Sequence, residues 1–323
     1  MGRPFPYANF KLVDGHNRLI HKLRISLLDA CNMNCLYCMP DEKEFMAKKS
    51  WVSAEELCEI SSKLVVYGID EIRLTGGEPL LRPDFRAIVK RLDQLPLSKF
   101  GLTTNGIHLE RELDFLKDTS LRYLNISLDS LNKENFEKIT QTNTFSRVYH
   151  SIVKAHSMGF KVKVNAVLLR GMNDAEDELS KFVEFTQKTG IEVRFLELMR
   201  IGVANNYFEK HFISAGEVID RLKLKNRLEE KEMPKDSTSF NFYLSQGGEI
   251  GFIASESRPF CGHCSRLRLG ADGALRPCLF MDHGVSLRGL KGEDFLKTLK
   301  QTIKLKPHDR IKAVNQAMHQ IGG

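Results

Sequence analysis

From residue 23 to residue 199 the chain repeats one pattern: a short apolar, β-rich run, a turn, then a stretch with helical spacing. No other feature constrains the fold as tightly. A strand followed each time by a helix can pair with the next strand only in parallel, through a right-handed crossover. The predicted strands are 22–28, 71–75, 99–103, 123–128, 161–168 and 192–199. The first helical pattern opens at Ser53, an N-cap with Glu56 three residues on, as in a capping box. Others follow near 84–95, 109–117, 132–139, 146–158 and 174–188. Six such units predict an α/β fold, an incomplete parallel β/α barrel rather than a full eight-unit one.

In such a barrel the chemistry sits at the C-terminal ends of the strands. The polar motifs fall there. A cysteine loop follows the first strand, Gly76-Gly77-Glu78-Pro79 the second and Thr104-Asn105-Gly106 the third, and Ser127-Leu128-Asp129 closes the fourth. After residue 199 the rhythm changes. Residues 200–232 look helical and charged, and 233–239 form a polar break. Two hairpins are predicted beyond it, 240–244 with 250–254 through Gly247-Gly248, and 267–269 with 274–279 through Asp272-Gly273. The expected division is a barrel with an N-terminal arm over 1–232 and a smaller C-terminal α+β region over 233–323.

Of the seven cysteines, six form two triplets: Cys31, Cys35, Cys38 and Cys261, Cys264, Cys278. An odd number at short spacing points to metal or catalysis rather than disulfides. Cys58, inside a helical pattern, reads as a small buried hydrophobe. The first triplet suits a cubic four-iron cluster with one iron left open, since each iron normally takes one thiolate. A zinc knuckle or unrelated buried thiols are the alternative. For the second triplet a cluster stands only slightly ahead of zinc, with His263 as the candidate fourth zinc ligand. Strand alternation puts Arg266 and Arg268 on one face beside it, where their forks suit phosphate oxygens. The final Gly322-Gly323 reads as a frayed end, a narrow probe entering a pocket, or a sulfur-carrier tail.

Composition narrows the classes. With 42% hydrophobic and 28% charged residues, the chain is that of a soluble globular protein. No apolar run approaches the roughly 20 residues that span a bilayer. The first residues show no secretion signal, and Pro6 stands where myristoylation favours Ser or Thr. A cytoplasmic location is expected, with no membrane partner. The net charge of +7 fits a small polyanion such as a nucleotide. Without a long basic block or basic–aromatic alternation, no nucleic-acid partner is expected.

The first cysteine motif resembles the cluster signature of radical S-adenosylmethionine (radical SAM) enzymes. Taken with Gly76-Gly77-Glu78-Pro79, the second triplet, Arg266-Leu267-Arg268 and Gly322-Gly323, the chain resembles the molybdenum cofactor biosynthesis protein A family, the GTP 3′,8-cyclases. The resemblance implies a six-unit partial barrel of radical SAM type, and two [4Fe-4S] clusters facing each other across one cavity. The first cluster, on Cys31, Cys35 and Cys38, holds SAM and cleaves it to a 5′-deoxyadenosyl radical. That radical takes hydrogen from C3′ of GTP, and C3′ then attacks C8. The second cluster, on Cys261, Cys264 and Cys278, holds guanine through its open iron, which favours a cluster over zinc there.

Matching positions place Tyr37, Gly77, Ser127 and Met199 on the SAM side. Arg24, Arg73, Thr103, Lys163, Arg194, Arg266 and Arg268 match the GTP side. Arg266, Arg268, Gly322 and Gly323 match catalytic positions. The implied partners are GTP, an external electron donor and the next enzyme, cyclic pyranopterin monophosphate synthase; a homodimer is left open. The chain departs from the family at Glu71, where the family usually carries Lys, and at Leu28-Asp29-Ala30, where it prefers Thr-Asp and a basic residue. The competing readings are a radical SAM peptide maturase with one auxiliary cluster and a non-enzymatic zinc-binding interaction protein.

Overall fold

The computed structural model describes residues 10–322. The barrel strands come in the expected order: β1 (Lys22–Ser26), β2 (Glu71–Thr75), β3 (Lys99–Thr104), β4 (Leu121–Ser127), β5 (Lys161–Leu168) and β6 (Glu192–Glu197). Between them lie α1 (Ala54–Val66), α2 (Phe85–Leu92), α3 (Leu113–Lys117), α4 (Lys133–Thr140), α5 (Phe145–Ser157) and α6 (Glu176–Thr189). Ser53 caps α1, its Oγ accepting from the Glu56 amide at 3.1 Å.

Each strand alternates for a reason visible on β5. Val162, Val164, Ala166 and Leu168 are buried against the helices, while Lys161, Lys163, Asn165 and Val167 occupy the inner face. The helices answer with one apolar stripe. On α5 it is Val148, Ser151, Ile152 and Ala155, spaced by three, one and three. Phe182, Phe195 and Phe252 join this packing to the next strand, with ring centroids 5.4 and 5.7 Å apart.

The C-terminal part contributes α7 (Ala204–His211), α8 (Ala215–Lys223), β7 (Leu228–Lys231), β8 (Phe240–Leu244), β9 (Glu249–Ile253), β10 (Arg266–Leu269), β11 (Ala274–Arg276), β12 (Val285–Ser286), α9 (Gly292–Lys304) and α10 (Met318–Ile321). Both predicted hairpins form, β8–β9 and β10–β11. They do not stack as a layer of their own. One open sheet runs β12-β11-β10-β1-β2-β3-β4-β5-β6-β9-β8-β7. Within it β10 pairs in parallel with β1, and β9 in parallel with β6. The six predicted parallel strands thus become eight, lengthened at each edge by a C-terminal strand.

Residues 228–231 depart from the expected helical reading. Charged Leu-Glu-Glu-Lys is helix-like by composition, but the open amides and carbonyls of β8 recruit it as an antiparallel edge strand. Among the described residues no helix is long and apolar enough to cross a membrane.

Candidate active site

A cavity of about 290 Å³ opens inside the barrel, and both cysteine triplets line it. Tyr37, Gly77, Thr103, Ser127 and Met199 share its wall with them, as do Arg24, Arg194, Arg266 and Arg268. Residues predicted from opposite ends of the sequence therefore meet in one place. Arg73 and Lys163 stand outside the lining, on the same inner faces. Arg73 packs in the space left by Gly101 and donates to the Leu102 carbonyl at 3.1 Å. Gly322 is buried beside β1 and β2, where its carbonyl accepts from Arg268 and, at 3.4 Å, from Thr75 Oγ1. Gly323 lies outside the described residues. His263 is exposed and absent from the wall, so it is no partner for the cysteines it separates.

The first triplet is gripped by the motif after β2. The Gly77 amide donates to the Leu28 carbonyl at 2.7 Å, and the Glu78 amide to the Ala30 carbonyl at 2.8 Å. A Cβ on Gly77 would stand 2.3 Å from the Ala30 oxygen and 2.4 Å from that of Asp29. The glycine is needed because two backbones touch there. The Glu78 carboxylate, fully buried, accepts from Thr104 Oγ1 and from the amides of Leu80 and Asn105 at 2.7–3.0 Å. Asn105 in turn reaches Asn32 at 2.7 Å. One acidic side chain thus ties the ends of β2 and β3 to the cysteine loop. Tyr37 donates to Asp129 Oδ2 at 2.8 Å, while Asp129 Oδ1 accepts from the Val167 amide at 2.9 Å.

The two ends of the cavity differ in charge. At the first triplet burial pushes the thiols up, to about 11 for Cys31 and about 12 for Cys38, and Cys35 well up. Burial also raises Glu78 to about 7 and Asp129 to about 6. Carboxyl groups gathered there suit a cationic sulfonium and an amino group. At the second triplet burial works against the thiolate as well, yet Arg266 and Lys306 pull Cys264 down to about 6. Arg266 Nη2 lies 3.5 Å from the Cys264 sulfur. Arg24 is pushed far down by burial and by Arg268, Arg266 and Arg73. Burial, joined by a neighbouring arginine, lowers Arg73 and Arg268 to about 10. Arg73 and Arg268 remain charged at neutral pH, so like charges are held together in low dielectric, an arrangement that favours a polyanion.

Sequence reasoning missed three groups here. Glu192, on the inner face of β6, is shared by Lys163 and Arg194, which hold its carboxyl low despite its burial. Its parity with Arg194 was the available signal. Lys306 and His319 also line the wall, from segments with no strand pattern to place them. At Glu71, Cα pairing sets Lys22 on one side and Lys99 on the other. Lys22 Nζ lies 3.9 Å from this carboxylate.

Comparison with known proteins follows this geometry. The Radical SAM superfamily model matches residues 25–183, and the Molybdenum Cofactor Synthesis C model matches 191–315. A GTP 3′,8-cyclase of Synechocystis sp. is 46% identical over 312 residues, 97% of this chain and 95% of the relative. The chain belongs to the GTP 3′,8-cyclase family. Another family member, from Aquifex aeolicus, is 38% identical, with 88% of this chain and 90% of the relative covered. One from Yersinia pestis is 37% identical, with 97% and 99% covered. Among solved structures, Streptococcus suis SuiB bound to S-adenosylmethionine matches with a TM-score of 0.64 at 15% identity, over 90% of this chain and 68% of that one. Native anSMEcpe with bound AdoMet matches at 0.60 and 16%, over 88% and 83%. These two share the fold.

As a radical SAM enzyme, a member of this family uses a four-iron cluster and SAM. The donor set of the first triplet fits them: three neighbouring thiols and an open cavity beside them. Among the described residues no three Cys, His, Asp or Glu side chains converge on a single-ion centre. A cube instead seats each thiolate on its own iron.

Proposed function

We propose that this chain is a radical SAM lyase that converts GTP to 3′,8-cyclo-7,8-dihydro-GTP, the first step of molybdopterin synthesis. The observation that carries the reading is the polarised cavity. Buried arginines crowd beside the second triplet, while the Asp129 carboxyl lines the wall near the first and that of Glu78 lies buried behind it. When bound, the first cluster and SAM supply a 5′-deoxyadenosyl radical.

The residues of the chain then orient the two substrates. Gly77 and Tyr37 shape the wall around Cys31, Cys35 and Cys38, and Ser127 and Met199 complete the SAM half. Cys261, Cys264 and Cys278 would hold a second [4Fe-4S] cluster, which would supply an iron site for guanine. Arg24, Arg266 and Arg268 face the nucleotide, with Thr103 beside them; Arg73, Lys163 and Arg194 neutralise the triphosphate from the barrel floor. A polyanion arriving there would draw Lys163 and Arg194 away from Glu192. Gly322, held by Arg268 beside β1 and β2, closes this end of the cavity, and with Gly323 it keeps the catalytic role that the family implies.

The division at residue 232 is then functional, with the SAM half before it and the second triplet after it. The site needs an external electron donor, and cyclic pyranopterin monophosphate synthase takes the product. Both belong with a cytoplasmic enzyme. The test is anaerobic incubation of reduced protein with SAM, with and without GTP. 5′-Deoxyadenosine and a cyclised nucleotide should form together, only when GTP is present. SAM cleavage that ignores GTP and responds to a peptide would contradict the reading.

A further inference from the structure

Lys306, just past α9, is 2% exposed, a rare place for an ammonium group. Its Nζ donates to the Arg266 carbonyl and to the Pro277 carbonyl, each at 2.7 Å. Arg266 stands two residues past Cys264, and Pro277 directly precedes Cys278. One side chain therefore bridges the two segments that present these cysteines. Two neutral carbonyls do not balance a buried charge. The sulfurs of Cys264 and Cys278 face the ammonium, and the neighbouring cation is Arg266.

The third cysteine is tied to the same point. Arg18, held by Asp14 at 2.6 Å, donates through Nη1 to the Cys261 carbonyl at 2.6 Å and through Nη2 to the Pro307 carbonyl at 2.8 Å. Arg18 is itself buried, at 7% exposure. Every segment carrying a cysteine of the second triplet is thus fastened to the 306–307 backbone or to the Lys306 side chain.

We infer that Lys306 is a positioning residue of the second triplet, its clamp and its counter-charge when the triplet holds a cluster, with Arg18 as the strut behind it. The inference rests on the two-cluster reading above. A cation beside an anionic cluster favours the reduced state, and hydrogen bonds and charge around the sulfurs set the potential. Neither residue needs to touch GTP for this role.

The test compares the anaerobically purified full chain with Lys306→Met and Lys306→Arg, by iron analysis and by a redox titration followed by electron paramagnetic resonance. The unaltered protein should hold about eight iron atoms, and Lys306→Met about four, those of the first triplet. Where Lys306→Met still loads its second cluster, that midpoint alone should move to more negative potential, and Lys306→Arg should restore most of it. About eight iron atoms in both proteins with unchanged midpoints would overturn the inference while leaving the two-cluster reading intact. About four in the unaltered protein would overturn both. Should Lys306→Met fail to fold, Arg18→Lys carries the test, because lysine still reaches Asp14 but cannot span both carbonyls. Its second cluster should lose iron to a chelator about tenfold faster, and an unchanged rate would overturn the strut.

Discussion

The Arg268 guanidinium donates to the carbonyl of Gly322, so a cavity arginine near the second triplet also holds the last described residue of the chain. Gly322 adopts φ +72°, and a Cβ there would meet the Ser26 Cβ at 2.7 Å. Gly322 is thus fitted against β1 rather than frayed. Deleting Gly322-Gly323 should leave the iron content unchanged and lower GTP turnover by more than about tenfold, since positioning of the reacting groups is lost. Unchanged turnover would remove the segment from the site.

At Gly77 the backbone contact predicts a selective loss. Gly77→Ala puts a methyl against the Ala30 and Asp29 carbonyl oxygens. The cysteine loop must move, and about four iron atoms per chain should be lost with all SAM cleavage. Iron analysis checks this, and full loading of the variant would show that the loop tolerates the methyl.

Glu71 sits between Lys22 and Lys99 on the face that carries Arg73. Replacing it by lysine removes a carboxylate and adds a cation at the barrel floor. GTP should bind more tightly, by about fivefold or ~1 kcal/mol, a figure reduced by the partial exposure of the site. Equilibrium dialysis measures it. An unchanged Kd would mean that the triphosphate does not reach this level of the barrel.

The thiols offer a pH prediction for the metal-free chain. Cys264, drawn down to about 6, is mostly thiolate at pH 7 and mostly thiol at pH 5. Cys31 at about 11 and Cys38 at about 12 stay protonated across that range. Alkylation mapped by mass spectrometry should therefore label Cys264 first at pH 7, with a rate that rises through about pH 6 and then levels. Equal labelling of Cys264, Cys31 and Cys38 at pH 7 would contradict the charge asymmetry of the cavity.

Much of this was legible because barrel strands write their geometry twice. Lys161-Val162-Lys163-Val164 gave both the strand and the faces of its side chains, and the motifs after the first four strands marked the cavity rim. Where the C-terminal strands join the sheet was not legible, because local pattern does not say that β10 joins β1 or that β9 joins β6. Residues 228–231 became a strand through a partner's open edge, against their own composition. Lys306 was invisible for a similar reason. Its partners are carbonyls of Arg266 and Pro277, and backbone acceptors leave no trace in the residue types around it.

The central claim is that one cavity brings a SAM-derived radical to C3′ of GTP. GTP carrying deuterium at C3′, incubated anaerobically with the reduced protein and SAM, tests it most directly. The account predicts that deuterium passes into 5′-deoxyadenosine as the cyclised nucleotide forms. 5′-Deoxyadenosine formed without deuterium, while the nucleotide stays unchanged, would contradict it.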